Sequence, residues 1–299
     1  MSTKEYFLET RPQFLLLSPV LVILGMGIAL YNGAFNTLYF LLSLLGLTLL
    51  HISVNTLNDY SDFKSGIDLN AKRTPFSGGS GFLPSGQLTA SSVLRLGLGA
   101  FILAVPIGVY FLFIRGFYLL PVFVLGAIFV LLYTSHITKL GLGLAEITAG
   151  LGLGALPVFG TFLIINGGFS WAALYASIPS GFLVCNLLLL NEFPDIEADK
   201  VGQRKTLPIM LGSKKAAVIY SVLVIMVYIW IVAGVILNLM PAWSLLAILT
   251  LPIGLKAIKG AMTFKRIEEL LPAQGANVMV VLLTQLLLGI GYILARVVG

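Results

Sequence analysis

The chain has 299 residues, of which 58% are hydrophobic and 10% are charged, and its mean hydropathy is +1.01. A soluble domain carries about 25% charged residues, so this composition excludes a soluble globular protein and indicates an integral membrane protein. The formal net charge of +6 would suit a nucleic-acid-binding protein, but the positions of the basic residues give it another origin.

Nine apolar segments predict membrane-spanning helices, because a helix needs about 20 apolar residues to cross a bilayer. The period-two alternation that marks a membrane β-barrel is absent. The residues before the first segment include acids and lack a short apolar core with a cleavage site, so we expect no removable signal peptide. In chain order the predicted spans are 14–31, 38–57, 92–113, 118–134, 142–165, 171–191, 216–238, 243–262 and 276–296.

The charged residues concentrate on one face of this predicted bundle. With nine spans the two termini lie on opposite faces, and 16 of the 18 Lys and Arg residues fall on the face of the N-terminus. The positive-inside rule then predicts a cytoplasmic N-terminus, cytoplasmic loops on that face, and a C-terminus outside the cell. Topology thus explains the positive charge, and we expect no nucleic-acid partner. All 12 acids share that face, which topology does not require, so a polar site is expected there.

Two related pentapeptides end the second and the sixth apolar segments. NDYSD begins at Asn58 and NEFPD begins at Asn191, 133 positions later. Each is followed by a further Asp, a basic pair and a Thr. We interpret the chain as a single transmembrane domain, 1–299, built from two parallel four-helix halves, about 1–134 and 142–262, with a ninth helix and cap loops at 58–91 and 192–215.

The acids of these repeats have the spacing of a metal site. On a helix Asn58 and Asp62 share a face, as do Asn191 with Asp195 and Asp195 with Asp199. Carboxylates placed this closely repel each other unless a cation lies between them, and hard oxygen ligands favour Mg²⁺ that also binds substrate phosphate. The basic pairs beside them favour a diphosphate as that substrate: Lys72, Arg73, Arg204 and Lys205.

These motifs resemble those of the UbiA superfamily of intramembrane prenyltransferases. The first family motif, NDxxDxxxD, matches at Asn58, Asp59 and Asp62, and the sequence then has Gly66 with Asp68 as its third acid. This variant, NDYxDxxxGxD, is similar to the branch that prenylates dihydroxynaphthoate for menaquinone. The second motif, DxxxD, matches at Asp195 and Asp199, and the stretches RTPFSGGSGFLPSGQLT and GQRKTLPIMLG are also similar to that branch.

The resemblance implies an all-α membrane fold of nine transmembrane helices around a central lipid-accessible cavity. It implies Mg²⁺-dependent transfer of a prenyl group from prenyl diphosphate to a small aromatic acceptor, with membrane lipid around the prenyl tail. It assigns the metal to Asn58, Asp59, Asp62, Asp68, Asp195 and Asp199, and catalysis to Asp62, Asp195, Tyr133 and Lys139. It assigns substrate binding to Arg11, Asn58, Lys72, Arg73, Asn191, Arg204, Lys205 and the intramembrane Glu146.

Other functions stay open at the level of sequence. Within the enzyme class the acceptor could instead be hydroxybenzoate, homogentisate, a prenylglyceryl phosphate or a tetrapyrrole. An ion or metabolite transporter would also use duplicated halves, although acids confined to one face fit an interfacial reaction better. A lipid-binding scaffold gives no reason for duplicated acids of metal-binding type.

Overall fold

A computed structural model of the protein describes residues 3–298, and within that range the chain is helical without a strand. Three segments are 3₁₀-helical, Phe117–Leu119, Ile137–Lys139 and Ala242–Thr250, and Leu151–Ala155 forms a π-helical turn. The α-helices are α1 Thr3–Glu9, α2 Pro12–Leu15, α3 Leu17–Tyr31, α4 Thr37–Ser65, α5 Ile67–Asn70, α6 Ala90–Arg115, α7 Leu120–Leu132, α8 Leu144–Gly150, α9 Leu156–Asn166, α10 Trp171–Asn191, α11 Ile196–Val201, α12 Leu207–Leu211, α13 Ser213–Ile236, α14 Leu251–Thr263 and α15 Ile267–Val298.

The predicted all-α membrane fold is confirmed, but the number of spans is not confirmed as nine. In the described part of the chain, eight helical segments are long and apolar enough to cross a membrane. The ninth apolar segment, Phe117–Leu132, is shorter. It corresponds to the predicted fourth span at 118–134.

The second span is longer than its apolar run. The prediction ended it at residue 57, whereas α4 continues to Ser65. Hydrophobicity stops where the side chains become polar, but the helical hydrogen bonds continue until Gly66, whose left-handed φ of +83° ends the helix. Asn58, Asp59 and Asp62 of the first acidic motif therefore lie on this helix, whereas Asp68 lies beyond its end.

The helices pack closely through small residues. A Cβ built on Gly25 of α3 would lie 2.5 Å from the carbonyl oxygen of Val158 in α9. On the other side of α3, a Cβ on Gly27 would lie 2.8 Å from the carbonyl oxygen of Gly289 in α15. Because no side chain fits at either point, the backbones of α3, α9 and α15 approach directly, as in other membrane helix bundles.

The fifth span changes its helical type in the middle. Helix α8, the π turn Leu151–Ala155 and α9 follow one another, and Leu153 has the non-helical angles φ −115° and ψ 18°. Pro157, four residues after Leu153, has no backbone N–H to donate to the preceding turn. The resulting bend lies beside the cavity described next, which Gly152 and Leu153 both line.

Candidate active site

The C-terminal ends of α4 and α10 meet at one cavity of about 270 Å³. Its walls along the helices include apolar side chains such as Leu47, Leu50 and Leu188, whereas its end near the acidic motifs is polar. Nine of the residues predicted from the sequence line it: Arg11, Asn58, Asp62, Asp68, Tyr133, Asn191, Asp195, Asp199 and Arg204.

The first acidic motif is positioned by the end of α4 and by the turn after it. Asn58 donates to the hydroxyl of Thr134 at 3.1 Å, and Asp62 lies one turn further along the same face. Beyond Gly66 the chain turns into α5, which carries the buried Asp68. Gly79, with a φ of +72°, covers this carboxyl group so closely that a Cβ would lie 2.7 Å from its Oδ1 atom. Glycine is therefore required over Asp68.

The second acidic motif does not lie on one helix, which corrects the expectation that Asn191 and Asp195 share a helical face. Helix α10 ends at Asn191, and residues 192–195 form turns before α11. Pro194 supplies the reason, since it lacks an N–H and disfavours helical geometry in the residue before it. Asp195 and Asp199 do follow the predicted spacing, with Asp199 N donating to Asp195 O at 2.7 Å.

Arg204 joins the two motifs directly. Its guanidinium donates to Oδ1 of Asp62 and, at 2.8 Å, to Oδ1 of Asp199. All three side chains are at most 12% exposed. Since Asp62 is 142 positions away in the chain, this contact fixes the end of α4 relative to the segment that follows α11.

A second arginine neutralises the first motif from the N-terminal side. Arg11, which precedes α2 with a left-handed φ of 55°, donates to Oδ1 of Asp59. The other carboxylate oxygen of Asp59 accepts from the backbone N–H of Ser80 at 2.9 Å. The Ser80 hydroxyl in turn donates to Glu9 of α1 at 2.5 Å. This network ties α1, α4 and the glycine-rich stretch 78–81 together over the cavity.

Burial opposes the ionisation of the acids outside the spans. It raises the pKa of Asp68 to about 8, with the nearby Asp59 and Asp62 carboxylates adding to the effect. It raises the pKa of Asp195 to about 7, where Asp199 is the next cause. The same cause raises the pKa of Glu9 to about 7. These carboxyl groups therefore gain from any cation that reaches them.

The donor set fits a magnesium ion that arrives with a phosphate. Among residues 3–298 no three Asp, Glu, His or Cys side chains are close enough together to hold a metal by themselves. Mg²⁺, however, commonly takes only one or two carboxylates and completes its shell with water and substrate phosphate. Asp195 offers a buried Oδ1 atom with no hydrogen-bond partner, and Asp62, Asp68 and Asp199 line the same cavity.

Glu192 and Glu146 form a buried carboxyl pair in the wall beside this end of the cavity. The two groups lie within hydrogen-bonding reach of each other, and burial followed by the Glu146 charge raises the pKa of Glu192 well above its ordinary value. Glu146 also accepts from the backbone N–H of Leu207 at 2.6 Å. One oxygen of each carboxyl group has no hydrogen-bond partner among the described residues.

The structure does not bring every predicted residue into the cavity. Lys72, Arg73, Lys139 and Lys205 have exposed side chains and do not line it. Arg73 instead donates to the carbonyl oxygen of Ser80. Asp59 and Glu146 are buried behind the wall, so their roles, like the other assignments of site residues, stay predictions.

Sequence reasoning missed Glu192, Glu9 and Ser80. Glu192 had a visible signal, because NEFPD places it at the position that Asp59 occupies in NDYSD. The structure shows that the two equivalents differ, since Asp59 is paired with an arginine and Glu192 with another acid. No local pattern marks Glu9 or Ser80, which meet only in the folded chain across 71 positions.

The fold and this cavity define an all-helical membrane protein that holds paired acids and arginines at one end of an apolar bundle. A family model described as the UbiA prenyltransferase family matches residues 16–269. The chain therefore belongs to the UbiA prenyltransferase family, and it is a prenyltransferase. This membership displaces the transporter and scaffold alternatives.

Two curated relatives are similar over most of their length. A 1,4-dihydroxy-2-naphthoate octaprenyltransferase of Bacillus subtilis is 30% identical over 252 residues, covering 84% of this chain and 80% of the relative. A digeranylgeranylglyceryl phosphate synthase of Pyrococcus furiosus is 31% identical over 228 residues, covering 74% of each.

Solved structures share the fold. A UbiA homolog from Aeropyrum pernix superposes with a TM-score of 0.70 at 18% identity, covering 94% of this chain and 98% of that one. A UbiA homolog from Archaeoglobus fulgidus bound to GPP and Mg²⁺ superposes with a TM-score of 0.64 at 14% identity, covering 97% and 99%. At these sequence identities, the structural similarity shows that the fold is shared and nothing more.

Proposed function

We propose that the protein transfers a polyprenyl group from a prenyl diphosphate to 1,4-dihydroxy-2-naphthoate, with Mg²⁺ as its cofactor, in menaquinone biosynthesis. The observation that carries the proposal is the meeting of both acidic motifs and Arg204 at the polar end of a cavity whose remaining walls are mostly apolar. A prenyl diphosphate has the matching chemistry, an ionic headgroup on an apolar chain.

The headgroup end of the cavity binds and neutralises the diphosphate. Arg204 and Arg11 provide positive charge beside the acids, and arginine matches phosphate oxygens through paired N–H groups. Asp62, Asp68, Asp195 and Asp199 would hold Mg²⁺, which when bound stabilises the negative charge of the departing diphosphate. The Archaeoglobus homolog bound to GPP and Mg²⁺ supports the choice of a prenyl diphosphate and Mg²⁺ as the bound molecules.

The reaction follows from charge separation. When the allylic C–O bond breaks, the electron pair leaves with the diphosphate, and the arginines stabilise the growing negative charge. The prenyl carbon left positive lies near the aromatic walls of the cavity, which include Phe129 and Tyr133, and aromatic faces attract cations. The electron-rich ring of the acceptor attacks that carbon to form the new C–C bond, and a base or water takes the proton that the ring then releases.

The choice of acceptor rests on the Bacillus relative and on the motif variant with Gly66 and Asp68. A second candidate is a prenylglyceryl phosphate acceptor, because the Pyrococcus relative of comparable identity is a digeranylgeranylglyceryl phosphate synthase. We place the reaction at the cytoplasmic face, since the basic residues of the acidic loops satisfy the positive-inside rule there.

The deciding experiment uses purified protein in nanodiscs with Mg²⁺, geranylgeranyl diphosphate and a mixture of candidate acceptors, with products identified by mass spectrometry. We expect a prenylated naphthoate that disappears when EDTA is added. A prenylated glyceryl phosphate would replace the acceptor and keep the mechanism. The absence of any metal-dependent product, with several chain lengths, would contradict the proposal.

Replacing Asp62 or Asp195 by Asn should lower turnover by at least a hundredfold, because each change removes a carboxylate charge from the headgroup site. Glu197→Gln is the matched control, since Glu197 belongs to the same acidic segment but its side chain is 84% exposed and pairs only with Lys200. The thermal midpoint of each variant checks its fold. Wild-type rates in both Asn variants would overturn the assignment of these carboxylates.

A further inference from the structure

A second cavity adjoins the first within the bundle. It has a volume of about 320 Å³ and lies between α4, α6, α7 and α9, and its lining is almost wholly apolar. The two cavities share four wall residues, Leu47, Leu50, Gly126 and Gly152. The two cavities therefore adjoin at a junction that three spans form together.

Glycine keeps this junction open on the side of α7. Gly126 shares a helical face with Phe129, Val130 and Tyr133, which line the first cavity, and with Val122, which lines the second. A Cβ built on Gly126 meets no atom within 4 Å, so a side chain there would project into the passage. Gly152, in the π turn of the fifth span, also lines the junction and packs against Phe129 of α7, whose ring would lie 3.1 Å from a Cβ built on this glycine.

The far side of the second cavity reaches the surface of the bundle. Val105 and Val109 of α6 and Val124 of α7 line it, and their exposed fractions are 46%, 42% and 47%. In an integral membrane protein these side chains face lipid. A prenyl tail that crosses from the first cavity to the second would thus run from the acidic motifs, past Gly126, to the hydrocarbon of the bilayer between α6 and α7.

Distances along α4 relate this passage to the length of a prenyl chain. Leu50 and Leu47 lie 12 and 15 positions from Asp62, which corresponds to about 18 and 22 Å at the helical rise per residue. With carbon–carbon bonds of about 1.5 Å, an extended geranyl chain spans roughly 9 Å and a geranylgeranyl chain roughly 19 Å. The shorter chain therefore ends before the junction, the longer one reaches it, and a forty-carbon chain must pass through it.

We propose that the second cavity receives the distal isoprene units of the prenyl donor and that Gly126 determines which chain lengths can pass. The inference rests on the proposed function and deepens it, because it names a specificity-determining residue and the route of the tail. Gly126 acts by having no side chain, so the acidic site and the acceptor are independent of it.

The test compares Gly126→Leu with two other leucine substitutions on membrane-spanning helices. Gly46 lies deeper, in the second cavity alone, and its Cβ would make only an ordinary contact with Ile107 at 3.5 Å. Gly99 of α6 lines neither cavity, and its Cβ would meet open space. Each enzyme is assayed with the geranyl, geranylgeranyl and forty-carbon diphosphates, and kcat/KM is measured for each.

We expect Gly126→Leu to keep geranyl transfer within about threefold of wild type and to lose at least tenfold with the two longer donors, since closing an apolar passage removes favourable burial of the chain. In Gly46→Leu only kcat/KM for the forty-carbon donor should fall. In Gly99→Leu kcat/KM should be unchanged for all three donors. Gly126→Ala, which adds one methyl group, should have kcat/KM values for the longer donors between those of the wild type and of Gly126→Leu. Thermal midpoints establish that the variants are folded.

A binding measurement separates this inference from the proposed function. The affinities of non-reactive thiolodiphosphate analogues with twenty and forty carbons need no acceptor and no turnover. We expect both to bind Gly126→Leu at least tenfold more weakly than wild type, whichever acceptor the enzyme uses. Equal affinity and equal kcat/KM for all chain lengths, or an equal loss with geranyl, would overturn the role of Gly126.

Discussion

Arg204 lies between Asp62 and Asp199, at the point where a cation must stand if both carboxylates are ionised. A buried ion pair contributes little net stability, but removing one partner leaves an uncompensated charge. In the ligand-free protein the arginine therefore maintains the acidic site. In the proposed function, the same guanidinium would also bind the phosphate oxygens of the prenyl diphosphate.

Arg204→Gln should lower the thermal midpoint in EDTA, because removing one member of a buried ion pair costs about 3–5 kcal/mol. Mg²⁺ should restore more of the midpoint in this variant than in the wild type, since the freed carboxylates bind it. Arg204→Lys, which keeps a charge but not the paired donors, should be intermediate. Thermal unfolding with and without Mg²⁺ measures this, and an identical Mg²⁺ effect in all three proteins would contradict it.

The acids should also make stabilisation by Mg²⁺ depend on pH. Asp68 and Asp195 have an ordinary pKa of 3.8, and burial raises their pKa values to about 8 and about 7. A folded-state pKa above the unfolded value favours the protonated folded protein, so this contribution is complete below pH 3.8 and is lost as the pH rises through 7 to 8. Protons compete with the metal over the same range.

We therefore expect the midpoint in EDTA to fall between pH 6 and pH 8.5, while the increase caused by Mg²⁺ becomes larger. Thermal unfolding across that range, with and without Mg²⁺, measures both effects. In Asp68→Asn the thermal midpoint and the Mg²⁺ effect should both vary less with pH, because one of the titrating groups is removed. A Mg²⁺ effect that is constant with pH would contradict the role of these carboxyl groups.

At the level of the helices, the end of α9 depends on a residue of α6. The last carbonyl groups of a helix have no partner within it, and Arg115 donates to the carbonyl oxygens of Ile164 and Ile165, each at 2.7 Å. Its guanidinium also lies 4.7 Å from the ring centre of Tyr39, at the start of α4. Arg115 is thus at the end of α4 opposite to the acidic motif.

Arg115→Gln should lower the free energy of unfolding by about 1.5–3 kcal/mol, the range for hydrogen bonds to a charged group. Prenyl transfer at a temperature where the variant is folded should remain unchanged. Arg95→Gln is a suitable control, because the exposed Arg95 contacts only Ser91 of its own helix. Equal denaturation midpoints for both variants would show that the carbonyl contacts do not stabilise α9.

For the whole molecule, the predicted orientation can be tested through the single Cys185. After its replacement by Ser, a cysteine at Glu197 should react with a membrane-impermeant maleimide only in inside-out vesicles. A cysteine at the exposed Leu237, which follows α13 on the other face, should react only in right-side-out vesicles. The reverse pattern would invert the topology that the basic residues predict.

How much could be predicted from the sequence differs between these scales. Apolar runs of sufficient length located the spans, and the repeated motifs NDYSD and NEFPD located the acids, because both signals are local in the chain. The predicted apolar span ended at 57, whereas α4 continues to Ser65, since a helix can continue after its hydrophobicity stops. The sequence analysis predicted helix across Pro194, where the structure has turns, although a proline at this position favours a break in the helix.

The sequence by itself determined the membrane class, the helical fold and the family, since composition and short motifs suffice for these. Tertiary structure alone decided which charges meet: Arg204 faces the cavity and its neighbour Lys205 does not, and Asp59 has an arginine where Glu192 has a second acid. It also decided where Gly126 stands. Such contacts depend on how helices far apart in the chain pack, and that packing is set by the summed shapes of many side chains rather than by any local pattern.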